Sequence, residues 1–356
     1  MKQSNTFLEN LLDAPGPSGF EVRPAAIWRA EAEAFAESVI TDVSGNTFAF
    51  VNPDGRPRIM IAGHIDEIGL QVTHIDEEGF LYVDAIGGWD PHVLVGQRVQ
   101  ILGRSGDVQG VVGKKAIHLI KAEERKKPLE IRHLWVDIGV SSSKEAGELG
   151  IRVGDPMVID AKVVHLAGDL LASRAIDNRI GAYVALEALR LVAESNSKAS
   201  VVAVATVQEE IGGNSGGGAR SSAFTLEPNL ALVVDVTFST DIPNIEKKEL
   251  GEHRLGGGPV LSRGSAAHPV VFDRLVEVAE AQGIPYTIQA APRATRTDAD
   301  SIYMSRGGIP TGLVSVPNRY MHSPNEIVSL TDLKNTAHLL AALIEDLGEE
   351  PDFTPR

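Results

Sequence analysis

Two histidines and three acids, widely spaced along the chain, offer the side chains from which a pair of divalent cations can be held. They are His64 in Gly63-His-Ile-Asp-Glu67, Asp177 in Ser173-Arg-Ala-Ile-Asp-Asn178, Glu210 in Gln208-Glu-Glu-Ile-Gly212, Asp235 in Val233-Val-Asp-Val236 and His322 in Tyr320-Met-His-Ser-Pro324. Imidazole and carboxylate suit zinc, cobalt or manganese, and a carboxylate such as Asp177 can place one oxygen on each of two ions. Such a pair lowers the pKa of a shared water and polarises a carbonyl. Glu209, beside Glu210, stays free to act as general base. Asp66, two residues after His64, can accept a hydrogen bond from the imidazole and fix its tautomer. Together these are the parts of a metal-assisted hydrolase.

Each position alone has a plainer reading. His64 could be a hydrogen-bonded turn residue, Asp177 the N-cap of the helix that starts after it, and Asp235 the end of a strand. His322 could be a loop histidine, and Glu209 and Glu210 exposed acids. The joint placement favours the metal. Four of the five fall just after expected strands or at the following turn, so a parallel sheet would gather them at one edge, with His322 delivered by a loop. Adjacent carboxylates after the apolar run 201–207 also repel each other near a buried edge unless a cation neutralises them.

The elements that must position these groups can be read from pattern. Residues 4–13 and 21–37 read as helices, parted by Ala14-Pro-Gly-Pro-Ser-Gly19. Short strands follow near 39–43 and 47–52. Arg58-Ile-Met-Ile-Ala62 is a buried strand with His64 just past its end. From 69 to 163 short β-prone pieces alternate with glycine turns, among them 80–84, 98–102, 110–113 and 134–138, as in a small β-barrel or sandwich inserted into another domain.

After about 165 strands and helices alternate again. Helices are expected at 178–193, 214–223 (capped by Asn214 or Ser215), 267–282, 298–305 and 331–347, and strands at 200–207, 230–234, 286–289 and 310–314. The expected fold is α/β: a mixed, mostly parallel sheet flanked by helices, with an inserted small β-barrel. The catalytic domain would take 1–68 and 164–356, and the insert 69–163. Gly212–Gly218 lacks the Lys-Ser/Thr of a phosphate loop and reads as a turn into a helix, and Leu255-Gly-Gly-Gly-Pro259 as a sharp turn with close backbone approach.

Composition narrows the classes. The 356 residues, 43% hydrophobic and 23% charged, suit a soluble chain of two domains. A net charge of −15 without a long basic block makes nucleic acid and anionic membrane surfaces poor partners. Cysteine is absent, so a bound metal must use imidazole and carboxylate. The first ten residues carry no apolar run of signal-peptide length and no stretch approaches a membrane span, so a cytoplasmic enzyme is expected.

Gly63-His-Ile-Asp-Glu-Ile-Gly69, Ala175-Ile-Asp-Asn-Arg179, Val207-Gln-Glu-Glu-Ile-Gly212, Val234-Asp-Val236 and Met321-His-Ser-Pro324 resemble the motifs of the TET-type aminopeptidases, also called deblocking or glutamyl aminopeptidases. Pro15-Gly-Pro-Ser-Gly-Phe-Glu21 and Thr297-Asp-Ala299 match too, so the likeness spans nearly the whole chain. It implies one ion on His64 and Asp235, a second on Glu210 and His322, Asp177 bridging, Glu209 as catalytic base and Asp66 supporting His64. The long interval between His64 and Asp177 leaves room for a domain, which similar proteins use to pair subunits into a hollow tetrahedral dodecamer. Arg296 stands where the resemblance leads one to expect glycine.

The expected activity is removal of N-terminal residues from peptides with a free N-terminus, by a hydroxide between two ions, zinc first, with Glu209 taking its proton. A glycoside hydrolase of endoglucanase type, using paired carboxylates, is the alternative. It would leave His64 and His322 without a task. A binding or scaffold protein on the same fold is a further rival, against which every position is filled. Arg293 and Arg296 would favour acidic N-terminal side chains if they face the pocket; otherwise they lie on the surface or at a subunit contact.

Overall fold

The computed structural model describes residues 2–121, 123, 126–213 and 216–356, with side chains from residue 6 onward. The apolar runs become a sheet of eight strands: β1 (Ser38–Thr41), β2 (Thr47–Val51), β3 (Arg58–His64), β12 (Ser200–Thr206), β13 (Leu230–Phe238), β14 (Val260–Arg263), β15 (Thr287–Ala290) and β16 (Thr311–Asn318). Their spatial order is β1-β2-β12-β3-β13-β16-β14-β15. The middle four strands, β12, β3, β13 and β16, are parallel, and antiparallel pairings lie to either side. Every residue of β12 is buried, which is why the segment shows no apolar–polar alternation: both faces are covered.

Helices Lys2–Asp13, Val22–Ala32, Ile176–Ala193, Pro269–Gln282 and Leu330–Asp346 pack one core with Ile59, Ile61, Val201, Leu232 and Val234. The opposite face, built on Met60, Ala62, Val204 and Val233, is covered by Gly217–Leu226 and the short helix Ala299–Ile302. Because side chains alternate along a strand, His64 continues the row of Met60 and Ala62, and Asp235 the row of Val233.

The insert is a closed antiparallel barrel of β4 (Gly69–Ile75), β5 (Leu81–Ile86), β6 (Arg98–Gly103), β7 (Gly106–Gly113), β8 (Trp135–Asp137) and β9 (Pro156–Ile159). It has its own core, including Leu70, Leu81, Val99, Ile101, Val136 and Met157, and closure leaves it no open edge. A separate antiparallel sheet joins β10 (Val164–His165), β11 (Leu170–Ser173) and β17 (Glu326–Ser329).

Several boundaries differ from the sequence expectation. His64 is the last residue of β3, held there by pairing with Thr206. Asp235 lies inside β13, because pairing with β16 continues to Phe238 opposite Asn318. The second helix stops at Ala32, since the chain must turn before β1. The helix expected over 298–305 is reduced to Ala299–Ile302, and the one expected from 214 begins at Gly217. Its proposed caps, Asn214 and Ser215, lie outside the described residues. The glycines at 256 and 258 do turn sharply, and a Cβ on Gly258 would collide with the carbonyl oxygen of Pro285.

One close approach governs the rest. A Cβ on Gly63 would sit 2.2 Å from the carbonyl carbon of Gly181, so β3 and the helix that follows Asp177 touch backbone to backbone. Gly63→Ala is expected to destabilise the fold by about 1–3 kcal/mol through overpacking, read as a lower urea midpoint.

Candidate metal centre

All five proposed ligands meet at the carboxyl edge of the parallel strands. His64, Asp177 and Asp235 bring three donor atoms within 4.8 Å of one another, and Asp177, Glu210 and His322 do the same. Asp177 belongs to both trios. His64 Nε2 lies 3.3 Å from Asp177 Oδ1, and His322 Nε2 lies 3.3 Å from Oδ2 and 3.4 Å from Glu210 Oε2.

Asp177 does not arrive from the main sheet. It follows β11, whose partner β17 begins with Glu326, and the Glu326 carboxylate accepts the amides of both Asp177 (2.9 Å) and His322 (2.8 Å). Nor does Asp177 cap its helix: Asn178 accepts the Gly181 amide at 3.1 Å instead, leaving the aspartate free for the cluster. Asp66 Oδ1 lies 3.3 Å from His64 Nδ1, and the same carboxylate accepts the amides of Glu209 and Glu210 and the hydroxyl of Ser18. Glu209 Oε2 stands 3.8 Å from His64 Nε2.

The charge balance tests whether a cation fits. Asp177, Glu209, Glu210 and Asp235 crowd together, and among the described residues their only ion-pair contacts are with His64 and His322. Burial, followed by the charges of Asp235, Asp298 and Glu210, pushes Glu209 up to about 10 against the pull of His64. Burial also raises Asp235, reinforced by Asp177. Burial opposes a charged His322, yet its hydrogen bonds to Asp177 and Glu210 carry it up to about 11. Protons would thus have to balance this cluster where divalent cations can take their place, and nitrogen and oxygen donors in two trios suit that exchange.

Three groups of this surround have roles that residue pattern did not assign. Glu67 is buried between Arg174 and Arg179, the latter fully buried and donating to the carbonyls of Leu11, Leu12, Ala14 and Ile65. Asp298 accepts the Thr206 hydroxyl at 2.5 Å below the site. Glu326 was also missed, because its task is to hold backbone amides. The cluster opens into a cleft of about 1250 Å³, lined also by Arg293 and Arg296, neither of which has an ion-pair partner among the described residues. Arg296 adopts φ 59°, the left-handed region glycine occupies most easily.

A family model described as M42 glutamyl aminopeptidase matches residues 45–339. The chain belongs to that family. This M42 aminopeptidase is similar to the lysyl aminopeptidase of Pyrococcus furiosus, 36% identical over 98% of each chain. Its structure is similar to a TET aminopeptidase of Thaumarchaeota archaeon SCGC AB-539-E09, with TM-score 0.92, 36% identity and 97% of each chain covered. It is also similar to the Pyrococcus horikoshii TET1 peptidase, with TM-score 0.84, 30% identity, and 97% of this chain and 100% of that one covered.

If Asp177 is the shared ligand, Asp177→Asn should strip most of the zinc from protein reconstituted with that metal. The exposed His338→Ala should leave it in place, with elemental analysis as the readout.

Proposed function

We propose that this M42 aminopeptidase works with two divalent cations, one on His64 and Asp235, the other on Glu210 and His322, with Asp177 shared. The observation that carries the reading is the pair of donor trios meeting at one aspartate. Zinc is the first choice, and cobalt or manganese suit the same donors. When bound, the cations would acidify a water and polarise the scissile carbonyl.

The chain's own residues supply the rest. Glu209 reaches into the cleft, where it would accept the proton of the attacking water and pass it to the departing amine. Asp66 orients His64 from the Nδ1 side and leaves Nε2 to face the cluster. The substrates are peptides with a free N-terminus. The glycoside-hydrolase alternative gives His64 and His322 no task, although both are aimed at Asp177. Glu209→Gln is expected to lower kcat on aminoacyl anilides by about 10²–10⁴-fold with metal content unchanged. Chelation should abolish turnover in the wild-type protein, and chelator-resistant cleavage of a glucan would replace this reading with the rival one.

Among the described residues no helix is long and apolar enough to cross a membrane, and a cytoplasmic location fits the absence of cysteine. The Pyrococcus horikoshii relative assembles into a tetrahedron or a large octahedral shell. By the same reading, barrels within 69–163 pair the subunits here, and the pairs build a tetrahedral dodecamer. Light scattering should then give twelve times the 38.0 kDa chain mass, and a monomeric mass would remove the assembly from the proposal.

A further inference from the structure

Glu21 occupies the N-cap position of helix Val22–Ala32, yet its side chain caps nothing in that helix. The buried carboxylate turns away to a different part of the fold. There Oε1 accepts the amide of Gln208 at 3.2 Å and that of Gly19 at 2.6 Å.

Gln208 is the residue before Glu209. Its backbone is left-handed, with φ 60° and ψ 34°, and its side chain makes no cap for the short helix Glu209–Gly212. Such a conformation in a residue other than glycine persists only where its surroundings hold it. Three consecutive amides are held here by carboxylates from elsewhere: Gln208 by Glu21, Glu209 by Asp66 Oδ1 at 3.2 Å, and Glu210 by Asp66 Oδ2 at 3.1 Å.

The loop that carries Glu21 grips the same region at other points. Ser18 donates its hydroxyl to Asp66 and its amide to the carbonyl of Glu67, and the Gly16 amide donates to Glu67 Oε1 at 3.0 Å. We propose that Glu21 is a positioning residue that aims Glu209 by holding the reversed backbone at Gln208. It touches neither substrate nor cation. Its work is to accept two N–H groups at a reach of three side-chain carbons from a fixed helix start. Asp66 fixes the two amides beyond the turn, so losing Glu21 releases the turn itself while the ligand amide of Glu210 stays held.

The inference rests on Glu209 being the general base, so Glu209→Gln belongs in the same assay. With zinc-loaded protein and an aminoacyl anilide, Glu21→Ala should lower kcat about 10–100-fold with KM within about twofold and metal content unchanged, because a small misplacement of a reacting group costs that much. Glu21→Gln keeps an oxygen that accepts both amides and should recover most of kcat. Glu21→Asp keeps the charge but falls short of Gln208, and should resemble the alanine variant.

Wild-type kcat in Glu21→Ala, or in Glu21→Asp should the alanine variant not fold, would overturn the proposal. So would a glutamine variant as slow as alanine, since charge rather than the accepted amides would then be at work. If Glu209→Gln itself keeps full turnover, the general-base reading fails first, whatever Glu21 does.

Discussion

The site is organised around negative charge that the protein itself leaves unbalanced. Carboxylates of Asp177, Glu209, Glu210 and Asp235 converge at the carboxyl edge of β3, β12 and β13, the two aspartates buried and the two glutamates half-buried where the cleft opens, with two imidazoles as their ion-pair contacts among the described residues. A few residues away the chain does the opposite: Glu67 receives two guanidinium groups, from Arg174 and Arg179. Uncompensated buried charge is costly, whereas a paired and hydrogen-bonded one is tolerated. Charge is therefore neutralised internally at Glu67 and left open at the candidate metal centre.

Backbone geometry aims the groups. Ala175, Gln208 and His322 all take positive φ, each at or just before a residue of the cluster. Left-handed backbone outside glycine costs energy and gathers at functional sites when the surroundings enforce it. Here the enforcing groups are carboxylates that accept amides: Glu326 at Asp177 and His322, Asp66 at Glu209 and Glu210, and Glu21 at Gln208. The arrangement is preorganised by hydrogen bonds to main chain as well as by contacts among the candidate ligands.

The inserted barrel reaches this centre as well. Gly87 and Gly88 follow β5, and a Cβ on Gly88 would lie 3.2 Å from His322 Nδ1, while one on Gly87 would lie 3.4 Å from Glu210 Oε2. A side chain at Gly88 would press on His322, and one at Gly87 would touch Glu210 while colliding with Ile68. The inserted domain thus also lines the cleft, through Gly88 beside His322.

Residue type and local context made the five ligand candidates, Glu209 and Asp66 stand out, because a cysteine-free metal site needs imidazole and carboxylate donors. The β-pieces alternating with glycine turns likewise pointed to a small barrel or sandwich, and the structure closes it into a barrel. Glu326 was not legible in this way, and Glu21, Glu67 and Arg179 stood in recognised motifs without their roles showing: an acid or a guanidinium that holds distant main chain looks in sequence like any other. The strand limits at His64 and Asp235 also escaped, because cross-strand pairing rather than local propensity sets where a strand stops. What the sequence determined was the chemistry available and the order of the elements, both properties of local composition. Which oxygen faces which nitrogen, and which carboxylate is left without a guanidinium, only the tertiary structure decided, because those are distances between segments more than a hundred residues apart.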